Sequence, residues 1–205
     1  MSARLLVLVA SYLLGAIPTS LIVGRLFRGI DLRKHGSGNL GATNVYRTLG
    51  PKFAIPVGLF DMAKGAVPVM VIAPLVSASA YFAIVCGIMA VIGHVFSVFV
   101  GFKGGKGVAT ASGVMLGLTP WAVLVSFLVW ALIVRLTGYV SLGSIVSALI
   151  LPVAAWLLHP SARPLIWIQV LVAVAIVWLH RANIRRLLAG TENRFGRRGR
   201  QEPAA

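Results

Sequence analysis

Acidic side chains are almost missing from this chain: Asp31, Asp61, Glu192 and Glu202 are the four among 205 residues, against nineteen lysines and arginines. So few carboxylates are a poor basis for the paired acids of a glycosidase or for an oxygen-rich metal site, and neither a metal nor a cofactor is expected. Cysteine is scarcer still. Cys86 stands alone in an apolar run, which excludes an internal disulfide. Charged residues of either sign amount to 11% of the chain, while 59% of it is hydrophobic. A soluble domain of this length needs more polar surface, and lipid is the solvent that accepts the composition.

What the chain does have is long apolar stretches, such as residues 5–23 and 165–179. At a rise of about 1.5 Å per residue, roughly 20 residues cross a hydrocarbon core of about 30 Å. The runs are continuous rather than alternating, which selects helices over barrel strands. The pattern predicts an all-α, polytopic integral membrane protein of about seven transmembrane segments. Full spans are expected at about residues 4–24, 53–76, 80–101, 141–158 and 164–181, with two short pieces at 108–119 and 121–134 that meet at Thr119 and Pro120. Each short piece reads as a half-depth helix or one arm of a re-entrant hairpin. A polar, glycine-rich loop is expected from Arg25 to Pro51. The apolar run behind Arg4 could pass for a signal peptide, but no soluble domain follows it, and an uncleaved first span is expected. Residues 1–194 read as one membrane domain and residues 195–205 as a basic, disordered cytoplasmic tail.

Charge sets the orientation. A net charge of +15 would suit nucleic acid, yet the basic residues gather between apolar segments, as they do in cytoplasmic loops. With seven segments, sixteen of the nineteen fall on one side: Arg25, Arg28, Arg33, Lys34, Arg47, Lys52, Lys103, Lys106, Arg135 and the seven arginines from Arg181 onward. Arg4 and Arg163 fall on the other, and Lys64 lies within a span. Reading residues 108–134 as one span would scatter this asymmetry. The expected protein therefore crosses the bacterial inner membrane with its N-terminus outside and its C-terminus in the cytoplasm. No nucleic acid partner is expected, and no oligomeric state is legible.

Three polar stretches carry chemistry. The first is GSGNLGATNVYRTLG, residues 36–50. Its glycines, Gly38 among them, let backbone N–H groups approach an anion, and Ser37, Asn39, Thr43 and Asn44 add neutral hydrogen bonds. Arg47 can grip a phosphate with two donors of its planar fork. The plainer reading is a connector with a helix cap at Ser37 or Thr43. The second stretch is HVFSVFVGFKGGKGVATASG, residues 94–113. It fails the Walker A spacing, and Gly107 replaces the magnesium-binding hydroxyl. Gly104, Gly105, Gly107 and the Lys106 charge, ahead of a short helix near Val108, still suit a phosphate or acyl phosphate. A basic loop obeying the positive-inside rule is the alternative, and Lys103 fits it equally well. His94 reads as a brace for these loops or a substrate contact.

The third stretch is bipartite: TGYVSLGS, residues 137–144, and HRANIRRLLAGTEN, residues 180–193. His180 and Asn183 stand three apart at the charged end of a helix, where His180 is either a helix cap or a site residue. Ser141 and Ser144 either cap the following span or donate to a phosphate. Arg181, Arg185 and Arg186 fit anchors for lipid headgroups. Within the second span, Asp61 and Lys64 are spaced for a mutual salt bridge, beside the site or in contact with substrate.

Taken together and in order, GSGNLGATNVYR, GHVFSVFVGFKGGKGVAT with the preceding DMAKG, and YVSLGS with HRANIRRLLAGTEN resemble the bacterial acyl-phosphate:glycerol-3-phosphate acyltransferase family over nearly the whole chain. The resemblance implies transfer of an acyl group from acyl phosphate to the 1-hydroxyl of glycerol 3-phosphate. Lysophosphatidic acid and inorganic phosphate would be the products, in phospholipid synthesis. By position it implies that Ser37, Arg47, Lys106, His180 and Asn183 are needed for activity, that the GGKG glycines form the acyl-phosphate loop, and that Ser144 and Lys106 belong to the phosphate-binding surface. The His-plus-four-plus-Asp pattern of other glycerolipid acyltransferases is absent, because Leu40, Phe99, Pro164 and Arg185 stand five beyond the four histidines. The expected mechanism is positioning and charge neutralisation, with the substrate's own phosphate or His180 taking the proton. The alternative from another class is a transporter of small anions or phosphate esters, but its usual duplicated halves are not evident.

Overall fold

The computed structural model describes residues 3–195; apart from Phe195, the tail expected from residue 195 onward lies outside the described residues. The apolar run expected as one straight first span is broken. It forms α1 (Ala3–Ala16) and α2 (Thr19–Arg28), which meet at a bend of 40°. Pro18 supplies the physical reason, since it has no N–H to donate and its ring crowds the preceding turn. The loop expected over residues 25–51 is shorter than its composition implies. α2 continues to Arg28 and stops at Gly29, whose φ of +66° is left-handed backbone that glycine adopts without strain. α3 (Ala42–Leu49) fills the end of the loop because Val45, fully buried, and Leu49 give it an apolar face against α4.

α4 (Pro51–Val67) continues through a π-turn at Pro68–Ile72 and a 3-10 turn to Leu75. α5 (Ala80–Val95) runs back, and α6 (Val108–Leu116), α7 (Pro120–Thr137) and α8 (Val140–Leu158) follow. α9 (Ile166–Leu179) and the short α10 (Arg181–Leu188) complete the described residues. Five helical stretches among them are long and apolar enough to cross a membrane, or six with the bent α1–α2 pair. The chain is thus an all-α, polytopic membrane protein. Only one of the two pieces expected to be short is so. α6 has 9 residues, but α7 has 18, because Arg135, Leu136 and Thr137 extend the helix beyond the apolar run.

Helix pairing rests on small residues. α1 packs on α5, α4 on α6, α7 on α8 and α8 on α9. At the α4–α6 contact the backbones nearly touch: a Cβ on Gly113 would lie 1.9 Å from the Met62 carbonyl oxygen, and one on Gly65 would lie 2.0 Å from that of Thr110. In lipid no hydrophobic drive brings helices together, so such close approach supplies the attraction. Large apolar side chains such as Leu59, Leu132 and Leu171 instead point outward, where lipid replaces a protein core.

The α6–α7 hairpin starts and finishes at the same end of the bundle. Lys106, just before α6, donates to Asn183 of α10, and Ser141, just after α7, donates to Glu192 behind α10. That end also receives α3. This is where the polar stretches meet.

Candidate active site

Glu192 is the centre of the polar cluster, although nothing in the sequence reading gives it a role. It is buried, with 6% of its surface exposed. One carboxylate oxygen, Oε1, accepts from Ser141 Oγ at 2.9 Å and from Asn183 Nδ2 at 2.7 Å; the other, Oε2, accepts from Arg186 Nε at 2.7 Å. Burial alone would raise its pKa, but these three donors outweigh burial and leave Glu192 lowered and ionised. Because Asn183 spends its amide N–H on Glu192, its carbonyl oxygen Oδ1 faces Lys106 and accepts from Nζ. Glu192 thereby holds Asn183, and Asn183 holds Lys106. The available signal was a lone acid among arginines, in a chain that has almost no acids.

Burial lowers the Lys106 pKa to about 8; the Glu192 carboxylate opposes this shift, while the Arg186 and Arg47 guanidiniums add to it. His180 lies one residue beyond the span that ends at Leu179, and it caps α9 while starting α10. The expected i,i+3 relation to Asn183 therefore spans a helix break, yet both side chains are buried and both have Lys106 and Glu192 as neighbours. Burial and the Lys106 charge lower the His180 pKa to about 4, so the ring is neutral. Its Nδ1 lies 2.8 Å from the Ile176 carbonyl. A carbonyl only accepts, which puts the proton on Nδ1 and leaves Nε2 with its lone pair.

The first polar stretch reaches the cluster through Arg47, whose guanidinium donates to the Asn193 carbonyl at 3.4 Å. Burial lowers the Arg47 pKa without removing its charge, and Glu192 opposes the shift. Asn44, on the same helix, serves the backbone. Its Oδ1 accepts from the Ser37 amide at 2.8 Å, and its Nδ2 donates to the Leu32 and His35 carbonyls at 3.1 Å. Ser37 is thus tied through its backbone to the helix that carries Arg47, and the residue is exposed. Neither Ser37 nor Thr43 caps α3; Gly41 does, and Thr43 sits in the first turn. Gly38 has a left-handed backbone, and Asn39 buries its Oδ1 without a partner.

The glycine loop is strapped to the end of α5. The Gly104 and Gly105 amides donate to the Val95 and His94 carbonyls, at 2.9 and 3.1 Å. These two N–H groups therefore hold the loop rather than face a ligand. A Cβ on Gly105 would lie 2.1 Å from His94 Nε2, so glycine is required for this contact. Behind the loop, Asp61 and Lys64 form the buried salt bridge, 2.8 Å long, that their spacing suggested. Lys64 Nζ also donates to the Ile17 carbonyl at 2.9 Å, beside the α1–α2 break, and the His94 ring stands 3.9 Å from Asp61. Lys64 and His94 therefore lie behind the loop, while Lys106, beyond Gly105, turns into the Glu192 cluster.

Neither serine of TGYVSLGS caps α8, whose N-cap is Tyr139. Ser141 belongs to the Glu192 cluster. Ser144 donates within its own helix to Val140 at 2.9 Å and lines a narrow, open groove. The groove runs between α6, α7, α8 and α9 from Val108 and Ile176 inward, walled by Ala148, Leu151 and Val172. Along the chain, Val108 follows Lys106 by two residues and Ile176 precedes His180 by four. The helices that carry the cationic, hydrogen-bonding cluster thus also frame a largely apolar groove edged by Ser112, Ser126, Ser144 and Ser147. Chemically, such a site fits a molecule with phosphate at one end and a hydrocarbon chain at the other.

The family model described as glycerol-3-phosphate acyltransferase matches residues 5–190. The chain is 46% identical to the glycerol-3-phosphate acyltransferase 2 of Bacillus anthracis over 192 residues, covering 94% of this chain and 99% of the relative. It is 48% identical to the glycerol-3-phosphate acyltransferase of Trichlorobacter lovleyi over 195 residues, covering 95% and 99%. Its fold is similar to that of PlsY (YgiH), an integral membrane glycerol 3-phosphate acyltransferase whose crystal structure is known in a glycerol 3-phosphate form. The TM-score is 0.88 and the identity 38%, covering 95% of this chain and 96% of the other. The lysophosphatidic acid form of the same protein gives a TM-score of 0.86.

Proposed function

The chain belongs to the glycerol-3-phosphate acyltransferase family, and we propose on that footing that it transfers a fatty acyl group from acyl phosphate to the 1-hydroxyl of glycerol 3-phosphate. The hydroxyl oxygen attacks the acyl carbonyl carbon, the carbon–oxygen bond to phosphate breaks, and lysophosphatidic acid and inorganic phosphate leave. The observation that carries this reading is the convergence of Arg47, Lys106, His180 and Asn183 around Glu192, on helices that also frame a largely apolar groove. Both substrates are phosphorylated, and one brings a long chain for which the groove is the receptor.

In this reading Arg47 and Lys106 neutralise the two phosphoryl groups, while Ser37, Asn183 and the neutral His180 orient them. Phosphate is a good leaving group, so no strong acid is required. A neutral His180 with a pKa near 4 is a weak base, which favours the substrate phosphate as acceptor of the hydroxyl proton. Lys64, His94, Gly104 and Gly105 serve by holding the loop that presents Lys106. The protein crosses the inner membrane seven times, counting α6 and α7 separately, with its N-terminus outside and this site on the cytoplasmic face. The gathering of sixteen basic residues at that face supports the orientation.

Two measurements test the reading. Purified protein should release phosphate from acyl phosphate only when glycerol 3-phosphate is present, and should use neither acyl-CoA nor acyl carrier protein as donor. Release without the acceptor, or equal use of the other donors, would contradict it. For the proton, His180→Gln keeps a hydrogen-bonding group that cannot titrate. Near-normal turnover with an unchanged pH profile assigns the proton to the substrate phosphate, and a loss of about 10²- to 10⁴-fold assigns it to His180.

A further inference from the structure

The segment behind α10, Thr191–Phe195, crosses the polar end of the bundle and touches α3, the start of α8 and α10. Its Thr191 amide donates to the Arg186 carbonyl at 2.8 Å, and Glu192 joins Ser141 to Asn183. The Asn193 carbonyl receives the Arg47 guanidinium. Arg194 Nε donates to the Tyr139 hydroxyl at 3.1 Å, and its guanidinium lies over that ring, 5.1 Å from the centroid. The Phe195 amide donates to the Gly138 carbonyl at 2.6 Å. Finally, the Phe195 ring stacks on Tyr46, the neighbour of Arg47, with centroids 4.2 Å apart and planes 18° from parallel.

We propose that Phe195, stacked on Tyr46, is a positioning residue for Arg47, and that residues 193–195 act as a strap fixing that arginine over the site. α3 is only 8 residues long and is flanked by Gly41 and Gly50, so its own register does little to fix where Arg47 points. Burial on one face and the loop held by Asn44 anchor the start of the helix. Near Arg47 the strap supplies the fixed points, through an aromatic stack and a carbonyl acceptor. The Gly138 and Tyr139 contacts hold the strap to the start of α8. The 3.4 Å bond to a neutral carbonyl is weak enough for Arg47 to exchange it for a substrate phosphate, while the stack keeps the arginine within reach. This inference rests on the acyltransferase reading only in taking Arg47 to grip a substrate phosphate.

Full-length Phe195→Ala and Tyr46→Ala variants, assayed with acyl phosphate and glycerol 3-phosphate, test it. Loss of one aromatic stack corresponds to about a three- to tenfold rise in KM for the phosphate substrate that Arg47 holds, with kcat changed less. Phe195→Tyr, which keeps the stack, should restore the wild-type KM. The double variant should be no worse than the worse single one, because both remove the same contact. A merely structural contribution would lower Tm and active-site titre, and would leave the KM of the remaining folded enzyme unchanged. Wild-type KM in both alanine variants, or fully additive effects, would overturn the proposal. Absence of acyl transfer by the wild-type protein would instead overturn the acyltransferase reading, so the two failures are distinguishable.

Discussion

At the scale of single residues, the decisive feature is a chain of dependence that runs from an acid to a lysine. Glu192 orients Asn183, Asn183 orients Lys106, and the charge of Lys106 depends on what surrounds it. The useful form of Lys106 is the cation, and burial lowers its pKa to about 8. As pH rises through about 8 the lysine loses its proton and its grip on phosphate, so kcat/KM, which reports the free enzyme, should fall on that side. Lys106→Arg should lower activity, because a flat fork replaces a point charge, but it should also abolish this alkaline limb. Glu192→Gln removes the carboxylate that opposes the shift, and the limb should move to lower pH. A pH profile of kcat/KM for the three proteins checks both statements. Part of this was legible in sequence: Arg47, Lys106, His180 and Asn183 were picked out by residue type and position, and the structure brings them to one place. Glu192 was not, because an isolated carboxylate in a basic stretch looks like surface. Only its burial shows how many donors it satisfies.

At the scale of elements, the site depends on how tightly α4 holds α6 and on how the broken first span is repaired. Gly113 and Gly65 leave no room for a methyl group between α4 and α6. Gly113→Ala should cost about 1–3 kcal/mol of stability and push α6, with the glycine loop before it, away from the cluster. A lower Tm in detergent together with a higher KM for acyl phosphate would register this. Lys64 is both the partner of Asp61 and the donor to Ile17 beside the α1–α2 break. Lys64→Met leaves a buried carboxylate and a backbone carbonyl without a cation, and about 3–5 kcal/mol of destabilisation is expected. Adding Asp61→Leu should recover much of it, since a pair of apolar residues leaves no buried charge; thermal melts of the single and double variants decide. The Asp61–Lys64 pairing was legible from i,i+3 spacing alone. The break at Pro18 was not, because the hydropathy of residues 5–23 is uninterrupted and one proline inside it is tolerated in many spans. The full length of α7 was hidden for the opposite reason: Arg135 and Thr137 read as loop, yet a long cationic side chain can end a span by reaching the interface.

At the scale of the whole molecule, the arrangement depends on parity. The two ends of the α6–α7 hairpin lie together, so in the seven-crossing arrangement proposed above α6, though only 9 residues long, changes which side every later loop faces. Charge counting along the sequence favours the same arrangement, because treating residues 108–134 as one span divides the basic residues between both sides. Sequence could not show how deep the short arm goes, since depth is set by its packing against α4 and not by its own length. The orientation can be tested cleanly because the chain's single cysteine, Cys86, is buried and should not react with an impermeant thiol reagent. Exposed positions at the two ends provide the probes: Ala78 and Ser161 at one, Lys103 and Arg135 at the other. With the site in the cytoplasm, Ala78→Cys and Ser161→Cys should be labelled in cells whose inner membrane is intact. Lys103→Cys and Arg135→Cys should react only after that membrane is opened. The inverse pattern would reverse the orientation and leave the site facing away from the cytoplasm. A split between Lys103→Cys and Arg135→Cys would mean that α6 and α7 do not form a hairpin in the membrane, and the convergence of Lys106 with Ser141 would fail with it.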